Sequence, residues 1–177
     1  MGDLITPEIR SWVGRSDPPQ QIEVTRRDIM KYAIATEQRL KKYRRGDEAP
    51  PMFLYDAHQS LTPITELRSD GLWVDTLLPE LPLTRVMAGG IRHEYYRPIK
   101  AGDVLALTRT LTDIYEKQGT SGPLIFVVYA MRVESEDGEI LIRGRSVTAG
   151  YWCSADPAAF TAAGLAYGLT REHDGDT

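Results

Sequence analysis

The second half of the chain reads as strands. Val104–Tyr115 places Leu105, Leu107 and Leu111 on one face and Thr108, Thr110 and Thr112 on the other. Leu124–Val133 is nearly all apolar, the pattern of a central strand covered on both faces. Asp137-Gly138 is a strong hairpin signal, and Glu139–Ala149 returns from it with Arg143 and Arg145 pointing one way. A shorter run, Ile91–Arg97, precedes these three. The corner between them is Arg97-Pro98-Ile99-Lys100-Ala101-Gly102-Asp103. Pro98 has no backbone N–H and belongs at a strand end or edge, while Gly102-Asp103 is a turn pair.

The first half carries the helical periodicity. Gln20–Val24 forms a short strand, Thr25 is a good N-cap, and Asp28 puts negative charge in the first turn. Ile29, Tyr32, Ala33 and Thr36 follow at helical spacing and predict a helix over about 26–43. Met52, Phe53, Leu54, Ala57, Leu61 and Ile64 suit a second helix that Pro63 kinks or ends. Residues 68–90, with Gly71, Pro79, Pro82 and Gly89-Gly90, read as irregular; a loop this long is usually functional or covered by a partner. The expected organisation is an arm over 1–19, a single domain over 20–152 and a loosely held tail over 153–177. Ile9 and Trp12 are the arm residues suited to packing on the domain. The class is α+β, a helix lying across a curved antiparallel sheet so that both bury their apolar faces. Such a sheet has an edge, and a dimer is the simplest cover for it.

Composition narrows the function classes. The net charge of -4 weighs against a nucleic-acid partner, which needs a clustered positive face. The basic cluster Arg39, Lys41, Lys42, Arg44 and Arg45 reads as a solvated helix end that could also attract a phosphate-bearing group. Cys153 is the only cysteine, so no intrachain disulfide forms, as in a reducing compartment, and it reads as a plain thiol rather than a nucleophile. No apolar run reaches the ~20 residues that cross a membrane, and the N-terminus lacks a secretory pattern, so a cytoplasmic location is expected. His58, His93 and His173 share no metal-ligand spacing, and no metal site is expected. Asp103 reads as a turn residue and His93 as a structural strand histidine. Glu37 could act as an acid–base group if buried, though helix-surface exposure is the more natural reading. Gly89-Gly90 leaves two readings open, a tight start to the sheet or room for an acyl chain.

Three stretches resemble the MaoC-like dehydratase N-terminal domain family: Tyr32-Ala33-Ile34-Ala35-Thr36, Ala49-Pro50-Pro51-Met52-Phe53, and Met87-Ala88-Gly89-Gly90 through Asp103. The resemblance covers about residues 20–151. It implies the hot-dog fold, an antiparallel sheet wrapped around a central helix. It also implies acyl-thioester ligands on CoA or an acyl carrier as substrate, no further cofactor, and pairing of two hot-dog units with the ligand channel at their interface. Active relatives hydrate a trans-2-enoyl thioester or dehydrate the 3-hydroxy form, using an Asp and a His in Gly-Asp-x-Asn-Pro-x-His near the end of the first helix. A base activates water, an acid delivers a proton to the alpha carbon, and N–H groups meet the charge on the thioester oxygen.

This chain departs from the pattern there, reading Glu37-Gln38-Arg39-Leu40-Lys41-Lys42-Tyr43. Gln38 stands for the Asp and cannot take a proton near neutral pH; Tyr43 stands for the His, and an unperturbed phenol with a pKa of about 10 is a poor base. No catalytic residue is therefore assigned. Pro51, Met52, Phe53, Gly89 and Gly90 are the expected substrate-channel residues. The leading expectation is a subunit without its own dyad, in a heterodimer or heterotetramer with a second hot-dog hydratase chain. Its irregular 68–90 fits a channel widened for bulky acyl groups. The alternatives are a homodimeric acyl-CoA-binding module and a hot-dog thioesterase, for which Asp56 and Glu66 are the available carboxylates.

Overall fold

The computed structural model describes residues 4–54, 62–67, 71, 73–83, 87–119 and 122–151, with the backbone alone at 87, 88 and 147–151. Asp56, His58, Cys153, His173 and the expected tail lie outside the described residues, as does most of the second predicted helix; Phe53 and Leu54 open in helical conformation.

Five strands form one antiparallel sheet in the order β1-β3-β4-β5-β2. They are β1 (Gln20–Glu23), β2 (Met87–Tyr95), β3 (Val104–Gly119), β4 (Gly122–Ser135) and β5 (Ile140–Tyr151). Among the described residues the helices are short, and the sheet is the antiparallel one that the hot-dog resemblance implies. β4 is central, and Leu124 to Tyr129 are buried on both of its faces, as the continuous apolar run requires. The turn to β5 closes with Gly138 N–H donating to Ser135 O at 3.0 Å and Ser135 N–H to Glu139 O at 2.9 Å, with Gly138 at φ +79°. This is a type I turn followed by a left-handed glycine.

The alternation on β3 breaks at Thr112, where no glycine or other local signal marks a bulge. Leu111 pairs with Tyr129 and Asp113 with Val128, so Thr112 is an extra residue, and its hydroxyl donates to Val128 O at 3.1 Å. The bulge turns Ile114 to the same side as Leu111, and both are fully buried.

The helix predicted over 26–43 is two elements. α2 spans Arg26–Ala35 and α3 is the single turn Lys41–Arg44; α1, in the arm, is the single turn Pro7–Arg10. Thr25 caps α2, its hydroxyl accepting from Asp28 N–H at 3.1 Å. The C-terminal stop comes from a Schellman closure: Gln38 N–H donates to Ala33 O (2.8 Å) and Glu37 N–H to Ile34 O (3.1 Å), with Glu37 left-handed at φ +53°. Thr36 Oγ1 also donates back to Tyr32 O at 2.7 Å. No glycine or proline marks the stop, so periodicity alone ran through it.

The residue 97–103 corner is held as its composition suggests. Asp103 Oδ2 accepts from Arg97 Nη1 at 2.9 Å and from Lys100 N–H at 2.8 Å. Gly102 N–H donates to Val24 O at 2.8 Å, and Val24 N–H to Asp103 O at 2.9 Å, tying the corner to the start of α2. Arg97 also meets Glu139 at 3.0 Å.

The apolar face of the sheet carries two clusters. In one, α2 and the start of the second helix pack Val24, Ile29, Phe53 and Leu54 against Leu105, Leu107, Val133 and Ile142. In the other, the arm and the 73–83 segment pack Ile5, Ile9, Leu77 and Leu83 on Leu111, Ile114, Ile125 and Val127, with Trp12 against them. The arm runs beside β3: Gly14 N–H meets Leu111 O (2.8 Å), Leu111 N–H meets Arg15 O (2.9 Å), and Asp17 N–H meets Arg109 O (3.0 Å).

Arg109 stands between Leu107 and Leu111 on that same face. Its Nε and Nη2 reach Asp17 Oδ2 at 2.9 and 2.6 Å, and Nη2 reaches Asp75 Oδ1 at 3.1 Å. Tyr129 donates to Asp75 Oδ2 at 2.9 Å. Burial by itself would lower the pKa of Arg109, but Asp75 and Asp17 outweigh it and the pKa is raised. One guanidinium thus fixes both irregular covers, the arm and 73–83, to the sheet.

Candidate functional site

The site forms where α3, the segment 48–52 and the end of β2 meet. Glu48 bridges Lys100, and Ala49 N–H donates to Ile99 O at 2.8 Å, so the chain enters Pro50-Pro51 from the 97–103 corner. The proline pair fixes the backbone and offers apolar walls without donors. A cavity of about 340 Å³ opens there, lined among others by Lys42, Tyr43, Pro50, Pro51, Tyr95 and Tyr96.

Met52 follows with φ +68°, a left-handed conformation uncommon for a residue with a side chain. Its N–H donates to Tyr95 Oη at 3.0 Å. His93 Nδ1 lies 3.4 Å from the same hydroxyl, and the two rings meet edge-on with centroids 6.0 Å apart. His93 and Tyr95 share a face of β2 by alternation. The imidazole sits where Gly144 has no side chain, since a Cβ there would come within 2.6 Å of His93 Cδ2.

The expected channel residues part company. Pro51 lines the cavity and Met52 binds the cavity tyrosine. Phe53 is buried in the core, its ring edge-on to Tyr32 with centroids 5.7 Å apart. Gly89 and Gly90 lie within β2 rather than before it, and Gly89 is the extra residue of a register shift between Ala88 and Gly90. At about 3.3 Å per residue they stand roughly 17–20 Å along the strand from Tyr95. None of 73–83 lines the cavity.

Gln38 and Tyr43 also serve different hollows. Tyr43 lines the cavity, with Lys42 Nζ 5.1 Å from its ring centroid. Gln38 lines a separate depression with Ile34, Glu37, Arg39 and Arg44, and its amide donates to Thr36 Oγ1 at 3.2 Å. The break after α2 is what separates them. Glu37 is exposed there, and Glu66 is exposed in a one-turn 3-10 helix, Ile64–Glu66.

Lys42 bonds Glu48 at 2.7 Å, and this bond raises its pKa, keeping the ammonium charged. Arg97 is likewise raised, chiefly by its hydrogen bond to Asp103. Among the described residues no group of three or more His, Cys, Asp and Glu is placed to hold a metal ion. No helix among them is long and apolar enough to cross a membrane, which leaves strand-built membrane proteins unaddressed.

Two residues matter more than their sequence signal suggested. Tyr95 was visible only as the second neighbour of His93 on one strand face. Arg109 was legible as a charge in the Leu105-Leu107-Arg109-Leu111 stripe, where a cation on an apolar face needs buried partners.

Comparison with known proteins adds to this geometry. The family described as "FAS1-like, dehydratase domain region" matches residues 11–143. A UPF0336 protein of Thermobifida fusca is 34% identical over 113 residues, which span 62% of this chain and 74% of that one. The solved MaoC-like dehydratase of Rhodospirillum rubrum superposes with a TM-score of 0.50 at 16% identity, over 80% of this chain and 94% of that one. The ChsH1-ChsH2 complex of Mycobacterium tuberculosis gives a TM-score of 0.55 at 14% identity, over 85% and 90%. At these identities the two structures speak for the fold.

Proposed function

Because the chain belongs to the FAS1-like dehydratase family, built on the MaoC-like hot-dog fold, we propose that it is the non-catalytic subunit of a heteromeric enoyl-thioester hydratase, or 3-hydroxyacyl-thioester dehydratase. It forms one wall of the acyl channel, and a second hot-dog chain brings the acid–base pair.

The observation that carries this reading is the occupied donor. Hydration adds water across the double bond: the water oxygen bonds C3, a proton reaches C2, and a base takes the proton that water gives up. Meanwhile charge gathers on the thioester oxygen, which needs a free N–H aimed at it. Here the N–H of Met52 is already engaged by the phenol of Tyr95. The other groups at the cavity serve binding better than proton transfer. Lys42 is held as an ammonium by Glu48, and Gln38 opens into another hollow. What this chain offers is a stiff, largely apolar surface of Pro50, Pro51, Tyr95 and Tyr96, against which an acyl thioester can lie. That a solved protein of similar fold, ChsH1-ChsH2, is a complex of two proteins supports a two-chain assembly.

The test is co-expression with a neighbouring reading frame that encodes a hot-dog chain bearing the Asp and His, followed by mass measurement and an enoyl-CoA hydration assay. The complex hydrates and the isolated chain does not. Hydration by the isolated chain at enzymic rates refutes the proposal. A stable lone homodimer that binds an acyl-CoA without turnover replaces it with the binding-module reading.

A further inference from the structure

The face of the sheet opposite the Leu and Ile core carries an arrangement that folding alone disfavours. Arg132 on β4 stands directly across from Arg143 on β5, and Arg145 on β5 directly across from Arg92 on β2. Like charges at directly opposed positions repel. All four arginines are exposed. Arg132 reaches Glu134 and Arg92 reaches Glu94, each two residues along its own strand. Arg143 has Glu94 of β2 directly across from it on its other side, and its guanidinium lies 5.9 Å from the ring centroid of Tyr96, whereas Arg145 stands between Arg92 and Ala130 with no opposed carboxylate. Four cations and two carboxylates leave this patch positive on a chain whose net charge is -4.

Beside the arginines the floor is small. A hollow of about 550 Å³ opens over Thr108, Thr110 and Ala130, walled by Arg132, Glu134 and Arg143. The positive patch crosses three strands, roughly 10 Å, and runs about 7 Å along them. That is broader than one phosphate group and suits a surface carrying several carboxylates. The cavity lined by Tyr43 and Tyr95 is a different site.

We propose that this outer face, centred on Arg143 and Arg145, docks an acidic protein surface, that of the carrier protein which presents the acyl thioester. The inference rests on the reading above that the chain serves acyl-thioester chemistry, and it selects a protein carrier over free CoA. Opposed guanidiniums cost stability when the face is empty, and carboxylates of a partner relieve that repulsion on docking. Stability given up at a surface in exchange for partner recognition is a familiar trade.

The experiment titrates holo-acyl carrier protein against the full-length chain, assembled with its partner subunit where one co-purifies. Wild type is compared with Arg145→Glu, Arg145→Gln and the double variant Arg143→Glu/Arg145→Glu. Carrier affinity falls at least about tenfold in the double variant, and added salt weakens the wild type more than the variant. Affinity for crotonyl-CoA stays unchanged. The Tm of Arg145→Glu matches or exceeds wild type by about 2 °C, because Glu opposite Arg92 replaces a repulsion with an attraction. A merely structural arginine would lower Tm on reversal, and that result overturns the proposal. So does carrier binding that is absent or indifferent to charge reversal. A parallel loss of crotonyl-CoA affinity overturns it too, by assigning the arginines to the CoA phosphates. Hydration by the isolated chain would sink the non-catalytic reading without touching any of these outcomes.

Discussion

Replacing Arg109 with Met removes the guanidinium that joins the arm and the 73–83 segment to the sheet. Its side chain is 15% exposed, and the Asp17 and Asp75 side chains are each 21% exposed. The substitution leaves two carboxylates about four-fifths buried without their cation. Breaking a buried pair in this way costs about 3–5 kcal/mol. The low end applies here, because both carboxylates keep other donors. Asp17 Oδ1 still accepts from Thr76 Oγ1 at 3.0 Å, and Asp75 keeps Tyr129 Oη at 2.9 Å and Leu77 N–H at 3.0 Å. The expected loss is therefore about 3 kcal/mol. With a urea m-value of about 2 kcal/mol/M, the midpoint moves down by about 1.5 M. Urea unfolding followed by circular dichroism measures it. Adding Asp17→Asn and Asp75→Asn to Arg109→Met recovers at least half the loss, since the uncompensated charges are gone. Limited proteolysis of the single variant cuts first in the arm or in 73–83. A midpoint within about 0.5 M of wild type, or no recovery in the triple variant, refutes the clamp.

Other outcomes follow from the same geometry. Tyr95→Phe takes the acceptor from Met52 N–H, so hydrogen exchange at that amide speeds up by as much as about tenfold, the worth of one ordinary hydrogen bond; unchanged exchange measured by NMR would show that the phenol does not hold it. Gly144→Ala puts a Cβ 2.6 Å from His93 Cδ2 and 3.0 Å from Met131 Cε, and lowers unfolding free energy by about 1–2 kcal/mol in a urea titration; a variant as stable as wild type would mean the imidazole moves aside freely. The pH dependence has a definite sign. The folded-state pKa values of Arg97 and Arg109 are raised, so their contributions are complete below the unfolded arginine value and fade only as pH rises through the folded one. The stability difference between wild type and Arg109→Met is therefore flat between about pH 7 and 10, and a decline inside that window contradicts the assignment.

Much of this protein was legible in its sequence for physical reasons that need only near neighbours. Saturated apolar content marks β4 as central, because only a strand covered on both faces can use it. Thr25 with Asp28 announces the start of α2, Asp137-Gly138 announces the hairpin, and Pro98 with Gly102-Asp103 announces the corner, since each supplies its own hydrogen bond or dihedral preference. The MaoC-like resemblance was equally readable. Tertiary structure decided the rest. The end of α2 depends on Glu37 accepting a left-handed conformation that its composition does not advertise. The bulge at Thr112 turns Ile114 inward only because β4 stands opposite. In the arm, Ile9 and Trp12 were legible as packing residues, but the burial of Ile5 was not, because the 73–83 segment and β3 arrive from far along the chain to meet it. The state of the site is likewise non-local: Met52 and Tyr95 are 43 residues apart, and only the closing of β2 against the Pro50-Pro51 segment brings the phenol to that amide. Local spacing fixes which elements form, whereas a donor's occupancy depends on which distant atom the assembled sheet delivers to it.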